Sequence, residues 1–114
     1  MITAACHCGA VRMEIETEAA PETVLDCSCS ICRRKGGLWA YYAPRQVRVI
    51  PESGATFIYL WGDRMIEHHT CRTCGCTTHW TPVDKTYPRM GVNARMMEPE
   101  VLAAATVRYS PGPD

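Results

Sequence analysis

The chain has 114 residues, 12 Lys or Arg against 12 Asp or Glu, and eight cysteines. That length supports one domain with a small core, and a formal net charge of zero lacks the basic excess of a general nucleic-acid binder. No apolar run approaches the roughly 18 residues of a membrane span, and no charged segment followed by an apolar one precedes Cys6, so neither a membrane nor a secretory route is expected.

Eight cysteines in so short a chain point to a disulfide framework or to metal binding, and compartment decides between them. A reducing cytoplasm is the expected setting, where clustered thiols act as metal ligands. Seven metal-bound thiolates and two dications would carry the charge to about −3. Arg33-Arg34-Lys35 is the densest basic run, and a solvated loop or counter-charge for thiolates accounts for it as well as phosphate binding does.

In chain order, Cys6-His7-Cys8 comes first, followed by Val11, Met13 and Ile15 alternating with Arg12, Glu14 and Glu16, the period of a half-buried strand. The triplet Cys27-Ser28-Cys29-Ser30-Ile31-Cys32 follows. Leu38 to Tyr42 and Val47 to Ile50 are two further predicted strands on either side of Pro44. Thr56 to Trp61 and Met65 to Thr70 flank Gly62-Asp63, a predicted hairpin whose turn uses glycine's tolerance of positive φ. Its second arm leads to Cys71-Arg72-Thr73-Cys74. Thr77 to Thr81, stopped by Pro82, and Tyr87 to Val92 are expected strands. A helix is expected after Glu98, with Pro99 at its first position and Val101 to Ala105 as strong helix formers. Thr106 to Tyr109 returns as an edge strand. Residues 1–109 form a single predicted domain and 110–114 a flexible tail.

In extended backbone, residues i and i+2 share a side, so Cys6 with Cys8, and Cys27 with Cys29, each present two sulfurs on one face. Cys71 and Cys74 meet through a tight turn that Gly75 helps to close. The pair lacks two ligands, and Cys6 and Cys8 complete it as a closed structural zinc site. The triplet is self-contained. Cys29 and Cys32 are spaced as in the first turn of a helix, whose free amides favour thiolates, and Cys27 lies one strand step before them.

Two readings stay open at the triplet. With three protein ligands, a zinc ion keeps a vacant position for water or substrate. Completed by Cys76 or a histidine, the site is structural and inert. Cys76 otherwise serves as a small buried hydrophobe. For His7, His68, His69 and His79 a surface or hydrogen-bonded structural role is the default, with ligation or proton transfer as the sharper alternative. Trp39, Tyr41 and Tyr42 read as core or pocket wall.

The runs Cys6-His7-Cys8-Gly9-Ala10-Val11, Cys27 to Gly36 and Cys71-Arg72-Thr73-Cys74-Gly75 resemble those of the glutathione-dependent formaldehyde-activating enzyme and centromere protein V family. The resemblance implies a mainly β, Mss4-like fold of coiled antiparallel sheets with zinc knuckles, here with one short C-terminal helix. It implies two zinc ions per chain, a structural one on Cys6, Cys8, Cys71 and Cys74 and a catalytic one on Cys27, Cys29 and Cys32. The implied activity is carbon–sulfur lyase chemistry of the S-hydroxymethylglutathione synthase type, with a small glutathione-like thiol and an aldehyde as partners. Arg33, Arg34, Lys35 or Arg64 are candidates for meeting the thiol's carboxylates. The alternatives are a zinc-stabilised binding module with two structural sites, and a redox protein using Cys71 and Cys74.

Overall fold

The computed structural model describes residues 1–62 and 64–112. In chain order the strands are β1 (Ile2–Ala5), β2 (Arg12–Ile15), β3 (Thr23–Cys27), β4 (Leu38–Tyr42), β5 (Val47–Ile50), β6 (Thr56–Leu60), β7 (Ile66–Cys71), β8 (Thr77–Pro82), β9 (Met90–Asn93) and β10 (Thr106–Ser110), with two short helices, α1 (Ser30–Lys35) and α2 (Pro99–Leu102). The fold is mainly β, as the sequence leads one to expect. None of the described helices is long and apolar enough to cross a membrane.

A three-stranded sheet runs in the order β1-β2-β5 and a seven-stranded one in the order β10-β3-β4-β9-β8-β7-β6. The alternation in β2 sets the first sheet: Met13 and Ile15 are fully buried, while Arg12 on the same strand is exposed. Met13 lies opposite Ala4 of β1 and Val49 of β5. This apolar face closes onto Leu38, Ala40 and Val92 of the larger sheet. Burying each of the larger side chains contributes about 1.5–3 kcal/mol, so the seam between the sheets is the main apolar core.

The predicted hairpin forms between β6 and β7, with Thr56 opposite Cys71 and Leu60 opposite Glu67. Gly62 has φ +61°, the left-handed conformation the turn asks of it; its neighbour Asp63 lies outside the described residues.

Besides β1 and β3, which the sequence reading does not single out, three features depart from it. First, α1 is a second helix beside the one expected after Glu98. Two caps make so short a helix possible: Cys29 accepts from the Cys32 amide with its sulfur, and Gly36 ends the helix at φ +67°. Second, α2 stops at Leu102, because the Leu102 carbonyl turns to the Ala105 amide (3.0 Å) and Thr106 enters β10. Third, β10 is an edge strand, but it pairs parallel to β3, with Thr106 opposite Thr23 and Ser110 opposite Cys27. Ser110 is therefore held in the sheet rather than in the free tail expected from residue 110; Pro113 and Asp114 lie outside the described residues.

Two close approaches fix the tryptophans near the triplet. A Cβ at Gly37 would lie 2.5 Å from the Trp39 ring, and one at Gly91 would run into Trp80 Nε1. Asn93 joins the strands beneath them. Its Oδ1 accepts from the Leu38 amide (3.2 Å) and its Nδ2 donates to the Thr77 carbonyl (2.8 Å). With Asn93 1 % exposed, these bonds replace the water its amide loses on burial.

Candidate active site and metal centres

All eight cysteines are free thiols, and seven of them fall into two clusters. The Sγ atoms of Cys6, Cys8, Cys71 and Cys74 lie within 4.8 Å of one another, and so do those of Cys27, Cys29 and Cys32.

The first cluster is built from two knuckles. After β1 the chain turns back, the Cys6 amide donating to the Val11 carbonyl (3.0 Å) and the Gly9 amide to the Cys6 carbonyl (3.1 Å). At the end of β7 the Gly75 amide donates to the Cys71 carbonyl (3.0 Å). Each turn aims amides at sulfur: Val11 N–H at Cys6 Sγ, Ala10 N–H at Cys8 Sγ and Thr73 N–H at Cys71 Sγ, all at 3.4 Å. Cys6 and Cys8, and Cys8 and Cys71, stand 3.7 Å apart at sulfur. Four sulfurs around one zinc at bonds of about 2.3 Å would be separated by roughly 3.8 Å, so the spacing fits an enclosed tetrahedral ion. The amides of Cys76 and Cys8 hold the Cys74 thiol down to about 5, so thiolate, the form that binds metal, is already favoured there.

The triplet sits where β3 ends and α1 begins. Cys27 is the last residue of β3, Cys29 caps α1 and Cys32 faces inward from its first turn. All three are buried. The Cys32 amide donates to Cys29 Sγ at 3.4 Å. Burial pushes the Cys27 and Cys32 thiols up, whereas at Cys29 burial is outweighed by the amides of Cys32 and Ile31 and its pKa is lowered. A buried trio of thiols, two of which resist ionisation, is a donor set suited to a soft dication, whose charge would favour the thiolates.

Among the described residues no fourth Cys, His, Asp or Glu donor joins the triplet. The two side chains best spaced in sequence to fill that role are elsewhere. Cys76 lies beside the first cluster, its thiol meeting the His7 amide and the Cys74 side chain. His79 is stacked on His69 with ring centroids 4.1 Å apart and bonded to Thr78 Oγ1 at 2.7 Å. His69 in turn meets Thr56 and Thr81. Burial, and then the charge of His69, hold His79 down to about 3, so both rings serve as neutral packing and hydrogen-bonding groups in the sheet.

Instead of a fourth ligand, the triplet faces a cavity of about 540 Å³. Trp39, Tyr41 and Trp80 form its inner walls, and the exposed Trp61, Met65 and Tyr87 its rim. The chain after β10 closes one side. Ser28 donates from its amide (2.8 Å) and its hydroxyl (3.2 Å) to the Ser110 carbonyl, and the Gly112 amide donates to Ser110 Oγ (3.1 Å). A Cβ at Gly112 would stand 2.8 Å from Cys27 Sγ: only glycine lets the backbone run this close to the sulfurs.

Two cavity residues carry chemistry that the sequence offers only as an alternative, for His68, or not at all, for Arg89. His68 faces inward from β7, 1 % exposed, and neither ring nitrogen has a hydrogen-bond partner among the described residues. The expected hydrogen-bonded structural role is thus not what the structure shows for it. Burial, and then the charges of Lys35 and His69, lower its pKa to about 4, so the ring is neutral at neutral pH. Arg89 lies over the Tyr41 ring at 4.2 Å. The alternation of β7 identifies an inward histidine, but nothing in the sequence marks Arg89. The basic residues favoured from sequence bind elsewhere: Arg33 to the Ser28 carbonyl, Arg34 to the Ser30 carbonyl and Lys35 to Thr70 Oγ1. Arg64 is exposed at φ +61° and does not line the cavity.

Comparison with known proteins gives a related fold and a family. The crystal structure of a Rhodobacter sphaeroides protein superposes with a TM-score of 0.76 at 31% identity, over 94% of this chain and 100% of that one. Residues 1–109 match the family described as glutathione-dependent formaldehyde-activating enzyme. With nearly its whole length matched, the chain belongs to the glutathione-dependent formaldehyde-activating enzyme family.

Proposed function

We propose that the protein is a zinc-dependent carbon–sulfur lyase that adds a small thiol to an aldehyde, or reverses that addition, as S-hydroxymethylglutathione synthase does. Residues 1–109 act as one catalytic unit, in a cytoplasm that keeps the thiols reduced. The observation that carries this reading is the contrast between the clusters: four converging sulfurs in one, and in the other three sulfurs that face a cavity with no fourth donor among the described residues. A binding module with two structural ions would need a closed second site.

Zinc bound by Cys27, Cys29 and Cys32 would supply a Lewis acid able to favour the thiolate of a substrate and to polarise an aldehyde oxygen. The protein's own residues do the rest. Trp39, Tyr41 and Trp80 exclude water from the reacting pair and hold it together, which supplies the proximity term. The addition forms one carbon–sulfur bond, opens the carbonyl, and moves the thiol proton to the oxygen. His68 is neutral, with neither ring nitrogen bonded among the described residues; its N–H donates to the aldehyde oxygen and passes it the proton while the other nitrogen takes up the thiol proton, so the ring ends neutral. Cys6, Cys8, Cys71 and Cys74 would hold the second zinc, which would tie the chain after β1 to the end of β7.

X-ray absorption at the zinc edge tests the reading. Mean coordination by sulfur should rise when a small thiol is added to protein carrying two zinc ions. Unchanged coordination across a series of small thiols would remove the support for an open site.

A further inference from the structure

The composition of the cavity wall says what else the bound thiol carries; this rests on the reading that the triplet binds a thiol. Glutathione bears two carboxylates and an ammonium group, and holding it inside a cavity takes opposite charges for each. Among the described lining residues only Arg89 and Asp84 carry a charge, the thiols and the neutral His68 aside. Asp84 is already engaged, its Oδ1 accepting from the Thr86 amide (2.9 Å) and hydroxyl (2.7 Å). Arg33, Arg34 and Lys35 are turned to the Ser28 carbonyl, the Ser30 carbonyl and Thr70.

Arg89 is different. Its guanidinium lies over the Tyr41 ring, 4.2 Å from the centroid, and it makes no ion pair among the described residues. A guanidinium held over a ring face still has N–H donors to offer a carboxylate, which arginine binds through two hydrogen bonds. The wall that Arg89 shares with the triplet is mostly apolar, with Trp39, Tyr41, Trp61, Trp80 and Ile31 among its residues. A hydrocarbon body gains from such a wall, whereas the second carboxylate of a tripeptide loses water there without a second cation to meet among the described lining residues.

We propose that the cavity takes a thiol with an apolar, ring-sized body and a single carboxylate, its sulfur at the Cys27, Cys29 and Cys32 triplet and its carboxylate on Arg89, in preference to glutathione. The test is a titration of zinc-loaded protein followed by tryptophan fluorescence, since Trp39, Trp61 and Trp80 all line the cavity. Three probes suffice: 4-(mercaptomethyl)benzoate, its uncharged parent benzyl mercaptan, and glutathione. The benzoate should bind at least about tenfold more tightly than glutathione and about fivefold more tightly than benzyl mercaptan, the size of effect one charge-assisted contact gives. Arg89→Gln, which alters an exposed side chain and should melt with wild type, should bring the benzoate down to the affinity of benzyl mercaptan. Glutathione binding as tightly as the benzoate, or an Arg89→Gln protein that keeps the benzoate's advantage, overturns the proposal while leaving a thiol site in place. Absence of binding by all three thiols overturns the thiol site and this proposal together.

Discussion

Replacing His68 with phenylalanine removes two ring nitrogens from a place where both are buried and neither has a partner among the described residues. The rings are close in shape, so the packing against Trp39, whose centroid is 6.2 Å from that of His68, changes little. A buried polar group left without a hydrogen bond costs about 1–3 kcal/mol. Allowing for water entering from the cavity's open side, His68→Phe should stabilise the zinc-loaded protein by about 2 kcal/mol at neutral pH, or roughly 8 °C in Tm for a chain of this size. Acid should widen the gap. Burial lowers the His68 pKa from 6.5 to about 4, so between those values the unfolded chain binds a proton that the folded chain does not. Stability therefore rises with pH through that window, and the wild type loses this contribution as pH falls from 6.5 towards 4. Phenylalanine has no such proton to bind, and the variant's advantage should grow by up to about 3 kcal/mol, less the screening through the cavity mouth. Melting followed by circular dichroism at about pH 7.5 and about pH 5 measures both terms. The same variant should lose about 100-fold in thiol–aldehyde addition, the lower end of what a positioned acid or base contributes. A lower Tm at neutral pH, or an advantage that shrinks in acid, would refute the argument.

The two clusters should respond differently to loss of one sulfur. Cys74→Ser opens the knuckle that links Cys8 to Cys71 across 63 residues, and because a structural zinc contributes on the order of 10 kcal/mol to folding in small domains, most of the cooperative melting transition should vanish. Cys32→Ser should lower Tm only modestly, and zinc content should fall from two ions to one; equal, severe losses would indicate two structural sites. Gly112→Val puts a branched side chain at φ +75° against Cys29 Cβ and Cys27 Sγ, so either the backbone strap or the sulfurs must move. The variant should release one zinc to a chelator about tenfold faster than wild type while its Tm changes by less than about 1 kcal/mol would produce. Unchanged release kinetics would show that the strap does not guard the triplet.

Much of the arrangement is local and so was legible in the chain. Cys27, Cys29 and Cys32 lie within six residues, and a strand step followed by a helical turn brings their sulfurs together with little help from elsewhere. The alternation in β2 announces the buried face of its sheet because one face meets apolar atoms and the other water. β3 escaped notice because Leu25 and Asp26 are both half-buried and give no two-residue period. Helix α1 was legible only as the turn from Cys29 to Cys32, because two caps, rather than the propensity of its residues, hold the rest.

What surrounds the triplet belongs to the tertiary structure. The register of β7 with β8 sets His79 opposite His69 and leaves His68 facing the cavity, and the parallel pairing of β10 brings Ser110 to Ser28 across 82 residues of chain. Thiol spacing fixes which sulfurs can share an ion, because bond lengths over a few residues allow few alternatives. Whether a fourth donor joins them, and what lines the space in front, depends on strand order and register, which sum many weak contacts between residues far apart in the chain.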